Sequence, residues 1–124
     1  MSIDSDILAA EFAADDDVLA SLKSSGDVAS VVRSIDVSFR GEIDRLEALA
    51  GRLETDGFSI IDRTRTEEDT PWIFMAREQS ADRSAIHALT QYCLERADEF
   101  DVTYDGWGCV ASNERGEISN ENPA

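Results

Sequence analysis

The sequence predicts an α+β domain in which two long helices pack on one face of a four-stranded antiparallel sheet. Three observations favour this class. The residues Ile35, Val37 and Phe39 alternate with polar residues, which is the period of a half-buried strand. Between residues 42 and 56 the apolar residues recur at helical spacing, and Gly57 is placed to end that helix. The third observation is the order in which such segments follow one another along the chain.

The remaining elements are predicted from the same kinds of pattern. The predicted strands cover residues 28–39, 58–63, 72–77 and 104–111, and the two long helices cover residues 42–56 and 82–100. Pro71 precedes the third strand, and Ser80 or Asp82 can cap the second long helix. The resulting order is β-α-β-β-α-β, which is of the ferredoxin-like type. We expect the second face of the sheet to be open unless an extra N-terminal helix covers it.

The chain of 124 residues is long enough for one domain with its own core. We expect an acidic N-terminal arm over residues 1–15, the domain over residues 16–111 and a polar tail over residues 112–124. A short helix is predicted from Asp16 or Asp17 to Ser24, because acidic residues suit the positive end of a helix. Residues 4–14 are rich in alanine and fit either a frayed helix or a disordered arm.

The charge of the chain restricts its partners. There are 27 Asp and Glu residues against 11 Lys and Arg residues, for a net charge of −16. Such a surface repels phosphate, so direct binding of nucleic acid or of an anionic membrane is not expected. A basic protein partner, or mimicry of a nucleic acid, fits the charge better. The acids are concentrated in residues 1–27 and 98–124, although solubility alone also accounts for them.

The sequence predicts a cytoplasmic protein without a cofactor. The first residues are acidic where a signal peptide would be basic, and no apolar run approaches the ~20 residues that a membrane span needs. Cys93 and Cys109 are expected to be reduced thiols, and a single histidine, His87, is too few for an ordinary zinc site. We expect His87 to lie at the surface or at its boundary, because it follows the core residue Ile86.

The segment from Tyr104 to Gly108, which reads YDGWG, is the most unusual string in the chain. Gly106 and Gly108 project to the same side of a strand, so that a helix or a partner backbone can approach closely there. Trp107 projects to the opposite side, where it either fills the core or anchors a partner. The residue pattern alone leaves both alternatives open.

Several acids surround this string, namely Asp98, Glu99, Asp101 and Asp105. Clustered carboxylates can bind Mg²⁺ or carry out acid–base chemistry, so a metal-dependent hydrolase that uses Asp98, Asp101 and Asp105 is an alternative function. The cluster also fits a contact surface or a solvated acidic rim. No Ser-His-Asp set, phosphate-binding loop or HExxH motif accompanies it. A third possibility is a module that self-associates through its open sheet face or its edge strands.

Two further predictions concern the sheet. Asp36 lies in a central strand, where it either pairs with an arginine such as Arg63 or Arg77 or belongs to a polar patch on the open face. That patch would include Ser34 and Ser38. The third strand is apolar on both faces, which predicts that its large side chains, Trp72, Phe74 and Met75, belong to the core.

The segment from Phe100 to Gly108 resembles the C-terminal signature of the regulator of ribonuclease E activity B family, approximately F-D-V-x-Y-D-G-W-G. The resemblance covers residues 16–111 and includes a short N-terminal helix and a β-α-β-β-α-β domain. It implies a small acidic protein, not an enzyme, that binds ribonuclease E and inhibits RNA cleavage by protein contact. Arg-rich segments of ribonuclease E, or another basic protein, would then be the partner. The oligomeric state is not predicted.

The predicted contact set combines acids, which steer a basic partner, with two aromatic residues as apolar anchors. Its members are Asp15, Asp16, Asp17, Asp101, Tyr104, Asp105 and Trp107. Family members with a long acidic tail differ from this chain, in which residues 112–124 contain only three acids, Glu114, Glu117 and Glu121, and one base, Arg115. Acidity between residues 4 and 17 would substitute for that tail.

Overall fold

Three helices and four strands make up residues 3–112, the part of the chain that the computed structural model describes. In chain order they are α1 (Ser5–Ser24), β1 (Arg33–Arg40), α2 (Ile43–Thr55), β2 (Ser59–Arg65), β3 (Pro71–Gln79), α3 (Arg83–Phe100) and β4 (Thr103–Gly108). The strands form one sheet in the order β2-β3-β1-β4, and each neighbouring pair is antiparallel. The α+β class and the antiparallel sheet are therefore confirmed. The predicted tail after Ser112 lies outside the described residues.

The core lies between the sheet and the two helices α2 and α3. The central strand β1 contributes Ile35, Val37 and Phe39, each of which is almost fully buried. Because side chains alternate along a strand, Ile73 and Met75 of β3 point to the same side as their partners on β1. The helices complete this core with apolar side chains at helical spacing, chiefly Leu46, Leu49, Leu53, Ile86, Leu89 and Cys93.

The strand β1 begins at Arg33, and the prediction that it begins at Val28 was wrong. The backbone turns before the strand, where the Val31 amide donates to the Val28 carbonyl. The Arg33 guanidinium stabilises this turn by donating to the carbonyl oxygens of Val28 and Val31 and to the Asp27 carboxylate. A strand that began at Val28 would continue the alternation of apolar residues. The buried Arg33 and the turn that it stabilises interrupt this alternation.

The helix α2 ends as the sequence indicated. Gly57 has φ +95°, a conformation that residues with a Cβ rarely adopt. The amides of Gly57 and Phe58 donate to the carbonyls of Glu54 and Leu53, which is the Schellman pattern of a helix C-terminus. Phe58 is buried against the core directly after this turn. This one turn therefore ends α2, reverses the direction of the chain and leads directly into β2.

The N-terminal segment is a single helix of 20 residues, so the prediction of a short helix that begins at Asp16 or Asp17 was wrong. Asp4 caps the helix, because its carboxylate accepts from the amides of Asp6 and Ile7 at 2.8 and 3.3 Å. Of the two alternatives for residues 4–14, the helical one holds. The helix packs beside α3, on the same side of the sheet as α2 and α3. No helix among residues 3–112 covers the opposite face of the sheet.

Candidate protein-binding surfaces

A β-bulge in β4 determines where the residues of the YDGWG string point. Phe39 of β1 pairs with Tyr104, but the preceding residue Ser38 pairs with Gly106, so Asp105 is an extra residue in the edge strand. Gly106 accommodates the bulge with φ +113°. As a result Tyr104 and Trp107, three positions apart, both pack against the core, whereas they would lie on opposite faces of a regular strand.

Trp107 is tied to the N-terminal helix through a buried carboxylate. Its indole Nε1 donates to Asp15 Oδ1 at 2.8 Å, and the Thr90 hydroxyl donates to Asp15 Oδ2 at 2.6 Å. The Asp15 side chain is only 3% exposed. One carboxylate from α1 therefore joins α3 and β4. Asp15 is positioned to hold the fold together, and a partner does not reach it in this arrangement.

Tyr104 lies next to this cluster. Its ring contacts Phe39 with centroids 5.4 Å apart. Its hydroxyl faces Thr90 and Cys93 but makes no hydrogen bond of normal geometry within residues 3–112. Burial raises the pKa of the Tyr104 hydroxyl above its usual range. The Thr90 hydroxyl uses its hydrogen to donate to Asp15, so it does not donate to Tyr104. The Tyr104 hydroxyl is therefore an unpaired polar group next to a Thr90 hydroxyl that has a partner.

A second contact fixes α1 to α3 at the surface. The Asp16 carboxylate accepts two hydrogen bonds from Arg83, at 2.9 and 3.1 Å, and one from His87 Nε2 at 2.9 Å. Hydrogen bonding to Arg83 is the chief reason that the pKa of Asp16 lies below its usual value, and His87 adds to it. The His87 ring also stacks on Phe12 at 4.2 Å. His87 is thus a boundary residue, as predicted, and it belongs to the helix–helix contact.

The other predicted contact acids are accessible to a partner. Asp17 is exposed on α1. Asp101 ends α3 with φ +58°, and its exposed carboxylate lies 3.0 Å from Arg45. Asp105 lies 3.2 Å from Arg40 on the far side of the sheet. The seven predicted contact residues therefore separate into two groups. Three pack in the interior, where Asp15 is buried and Tyr104 and Trp107 are partly buried, and the other four are acids distributed over different parts of the surface.

The structure does not bring together the carboxylates of the alternative metal site. Within residues 3–112, no group of three or more His, Cys, Asp or Glu side chains is arranged to hold a metal ion. Asp101 and Asp105 are each oriented toward an arginine on a different strand or helix. Cys93 and Cys109 are both free thiols, and Cys93 is buried. Burial raises the pKa of the Cys93 thiol, which keeps it protonated and unreactive.

One surface is larger than the sequence suggested. We call the side of the sheet away from the helices the open sheet face. Trp72 and Phe74 of β3 lie on it, because they alternate with the core residues Ile73 and Met75. The prediction that all three large side chains belong to the core was therefore right for Met75 and wrong for Trp72 and Phe74. The signal in the sequence was that both faces of β3 are apolar. One of these faces belongs to the core, and the other belongs to the open sheet face.

Asp36 also lies on the open sheet face, since it alternates with Ile35 and Val37. Of the two alternatives for Asp36, the polar patch with Ser34 and Ser38 agrees with the structure. The arginines proposed as its partners are engaged elsewhere. Arg63 donates to Glu47 at 2.7 and 2.9 Å, and Arg77 donates to the Asp56 carbonyl and to Gln79.

The fold and the charge define this chain as a small acidic α+β domain built on one four-stranded sheet. A family model described as regulator of ribonuclease activity B matches residues 12–109, which is most of the chain. The chain therefore belongs to the regulator of ribonuclease activity B family. This family regulates ribonuclease activity, which implies a ribonuclease as the partner. A search of curated proteins returned no match to the chain.

None of the helices within residues 3–112 is both long enough and apolar enough to cross a membrane.

Proposed function

We propose that this chain is a cytoplasmic, non-catalytic regulator that binds ribonuclease E and lowers RNA cleavage by protein contact. The observation that carries the proposal is the family match over residues 12–109. The net charge of −16 supports it, because an acidic surface attracts a basic segment of a partner and repels RNA. Such a segment cannot bind this surface and the RNA backbone at the same time.

We infer that the domain is ferredoxin-like and that all of α1 belongs to it. The β-α-β-β-α-β order after α1 and the strand order β2-β3-β1-β4 support the first inference. The buried Asp15 supports the second, since its hydrogen bonds join α1 to α3 and β4. A boundary between arm and domain after residue 15 would divide α1 at Asp15, the residue whose hydrogen bonds attach this helix to α3 and β4.

The predicted contact residues take two roles in this proposal. The exposed acids Asp17, Asp101 and Asp105 are available to meet basic side chains, and Asp16 is partly available beside Arg83. The buried Asp15 and the partly buried Tyr104 and Trp107 position α1 and β4 and thereby maintain the arrangement of the acids. Surface charges of this kind mainly increase the rate of association and make it dependent on salt.

A cleavage assay tests the proposal. Purified ribonuclease E is incubated with a single-stranded RNA substrate and increasing amounts of the full chain, at low and at high salt. We expect cleavage to fall with added protein at low salt and the inhibition to weaken about 10-fold or more at ~0.5 M salt, where exposed charges are screened. A pull-down of ribonuclease E with the same protein provides a direct measure of binding. Unchanged cleavage together with no recovered ribonuclease E would contradict the proposal.

A further inference from the structure

The open sheet face carries two neighbouring aromatic side chains. The rings of Trp72 and Phe74 are in tilted contact with centroids 4.9 Å apart. Ile61, at the bulge of β2, is 55% exposed and lines a shallow depression of about 500 Å³ together with Ala76. Trp72 Nε1 is shielded from water but has no hydrogen-bond partner within residues 3–112. The face therefore presents the exposed Ile61 and two partly exposed aromatic rings, and no helix among residues 3–112 covers it.

Carboxylates surround the rings of Trp72 and Phe74. Asp36 on β1 and Asp62 on β2 flank β3, two strand spacings apart and offset by two residues along it, because Asp36 pairs with Ala76 and Asp62 pairs with Phe74. Glu78 lies further along β3 on the same face, and Asp105 lies at the edge. Arg40 is the cationic residue that the strand alternation places on this face, and it is engaged with Asp105. Asp62 and Glu78 are exposed and have no ion-pair partner among the described residues.

The two glycines of β4 leave space beside these groups. Gly106 pairs with Ser38 and Gly108 pairs with Asp36, so both glycines project onto the open sheet face. A Cβ built on Gly106 would meet nothing within 4 Å, and one on Gly108 would meet only the Asp36 carboxylate at 3.9 Å. No helix of the described chain uses this gap. A side chain from another molecule can therefore reach the Asp36 carboxylate across β4.

We propose that the open sheet face binds an arginine-rich segment of a protein partner. This inference rests on the proposed function and assigns the surface and the chemistry of recognition. Guanidinium groups stack on aromatic rings and bind carboxylates through two parallel hydrogen bonds, and this face offers both kinds of group side by side. Ammonium groups of lysine gain less from the rings. A second copy of the chain would instead bring two sets of carboxylates together, and like charges repel.

The test uses the full chain and two synthetic peptides, nona-arginine and nona-lysine. The chain contains two tryptophans, so an NMR spectrum has two indole N–H signals to follow. We expect nona-arginine to shift the Trp72 signal and to leave the Trp107 signal in place, because Trp107 Nε1 is bound to Asp15. We expect nona-lysine to bind several-fold more weakly.

A matched pair of variants locates the surface. Asp62→Asn with Glu78→Gln removes two carboxylates from the open sheet face, and Asp44→Asn with Glu54→Gln removes two exposed carboxylates from α2. We expect the first variant to bind nona-arginine about 5- to 10-fold more weakly and the second less than 2-fold more weakly. Equal weakening in both variants, or a Trp72 signal that does not move, would overturn the proposal.

The same variants separate this proposal from the proposed function. If the open-face variant inhibits ribonuclease E as well as the natural chain does, the open sheet face is not the docking surface, and the proposed function stands. If nona-arginine binds this face but ribonuclease E is neither bound nor inhibited, the surface assignment stands and the proposed target is wrong. A Trp72 signal that moves with the concentration of the chain alone would show a second copy as the occupant and overturn the assignment.

Discussion

The indole of Trp107 donates to the carboxylate of Asp15, a residue 92 positions earlier in the chain. The same carboxylate accepts from Thr90, so one buried side chain satisfies two donors from different elements. A buried carboxylate with two such bonds is costly to disturb, because the loss of either donor leaves part of a charged group unpaired.

Replacement of Trp107 by phenylalanine should destabilise the domain by about 1.5–3 kcal/mol, the usual range for a hydrogen bond to a charged group. The variant loses the indole N–H that donates to Asp15, and the smaller ring adds a packing loss, since Trp107 packs against the core. Urea unfolding measures the change. Asp15→Asn and the double variant complete a cycle. If the two single effects were additive, Trp107 and Asp15 would not be coupled, contrary to the hydrogen bond described here.

Replacement of Tyr104 by phenylalanine should leave the stability unchanged or raise it by up to about 1 kcal/mol, because the buried hydroxyl has no hydrogen-bond partner of normal geometry within residues 3–112. Thermal unfolding gives the comparison. Tyr92→Phe is the matched control, since the Tyr92 hydroxyl donates to Asp56 and its removal should destabilise. A large loss of stability in Tyr104→Phe would show that its hydroxyl is satisfied.

Replacement of Gly57 by alanine should cost about 1–2 kcal/mol, since a Cβ is disfavoured at its positive φ. The nearest atom to an added Cβ is Arg77 Cδ at 3.5 Å, an ordinary contact, so the cost comes from the backbone. Gly51→Ala is the control, because Gly51 lies within α2 with open space around it. That change should stabilise by about 0.5–1 kcal/mol. Similar melting temperatures for the two variants would contradict this account.

The contact between Asp16 and Arg83 should be sensitive to acid. Because the pKa of Asp16 is lowered in the folded state, its contribution to stability is complete above its ordinary value of 3.8. That contribution is lost as the pH falls through the lower folded-state value. The stability difference between the natural chain and Asp16→Asn should therefore be constant near pH 6 and shrink below about pH 4. Unfolding by urea between pH 6 and pH 2.5 measures it, and a difference that did not change would refute the assignment.

The sequence allowed the class of the fold and the bounds of α2 and α3 to be predicted within one or two residues. It succeeded there because the apolar spacing and the terminating Gly57 act locally. It failed where distant residues decide the structure. The bulge at Asp105 depends on pairing with β1, and the burial of Asp15 depends on Thr90 and Trp107. A run of three aspartates looks exposed until the partner that buries one of them is known.

The partly exposed aromatic residues illustrate a second limit. Trp72 and Phe74 stand in a strand with apolar residues on both faces, and such a strand is usually buried on both. Whether the second face is covered depends on where α1 packs. The helix lies against α3, where Asp15 and Asp16 bind residues of α3, and it therefore does not pack on the two rings.

The sheet order has a consequence for how the chain folds during synthesis. The central strand β1 is made before both of its neighbours, β3 and β4, and α1 binds residues that are made at least 67 positions later. The helix α1 cannot complete its contacts until nearly all of the domain has left the ribosome, and β1 lacks one of its two neighbouring strands until then. Folding is then a late, concerted event, and chains truncated before β4 should remain open to proteases and chaperones. The hydrogen bond between Asp15 and Trp107 is among the last contacts of the domain to form, because Trp107 is among the last residues of the domain to emerge.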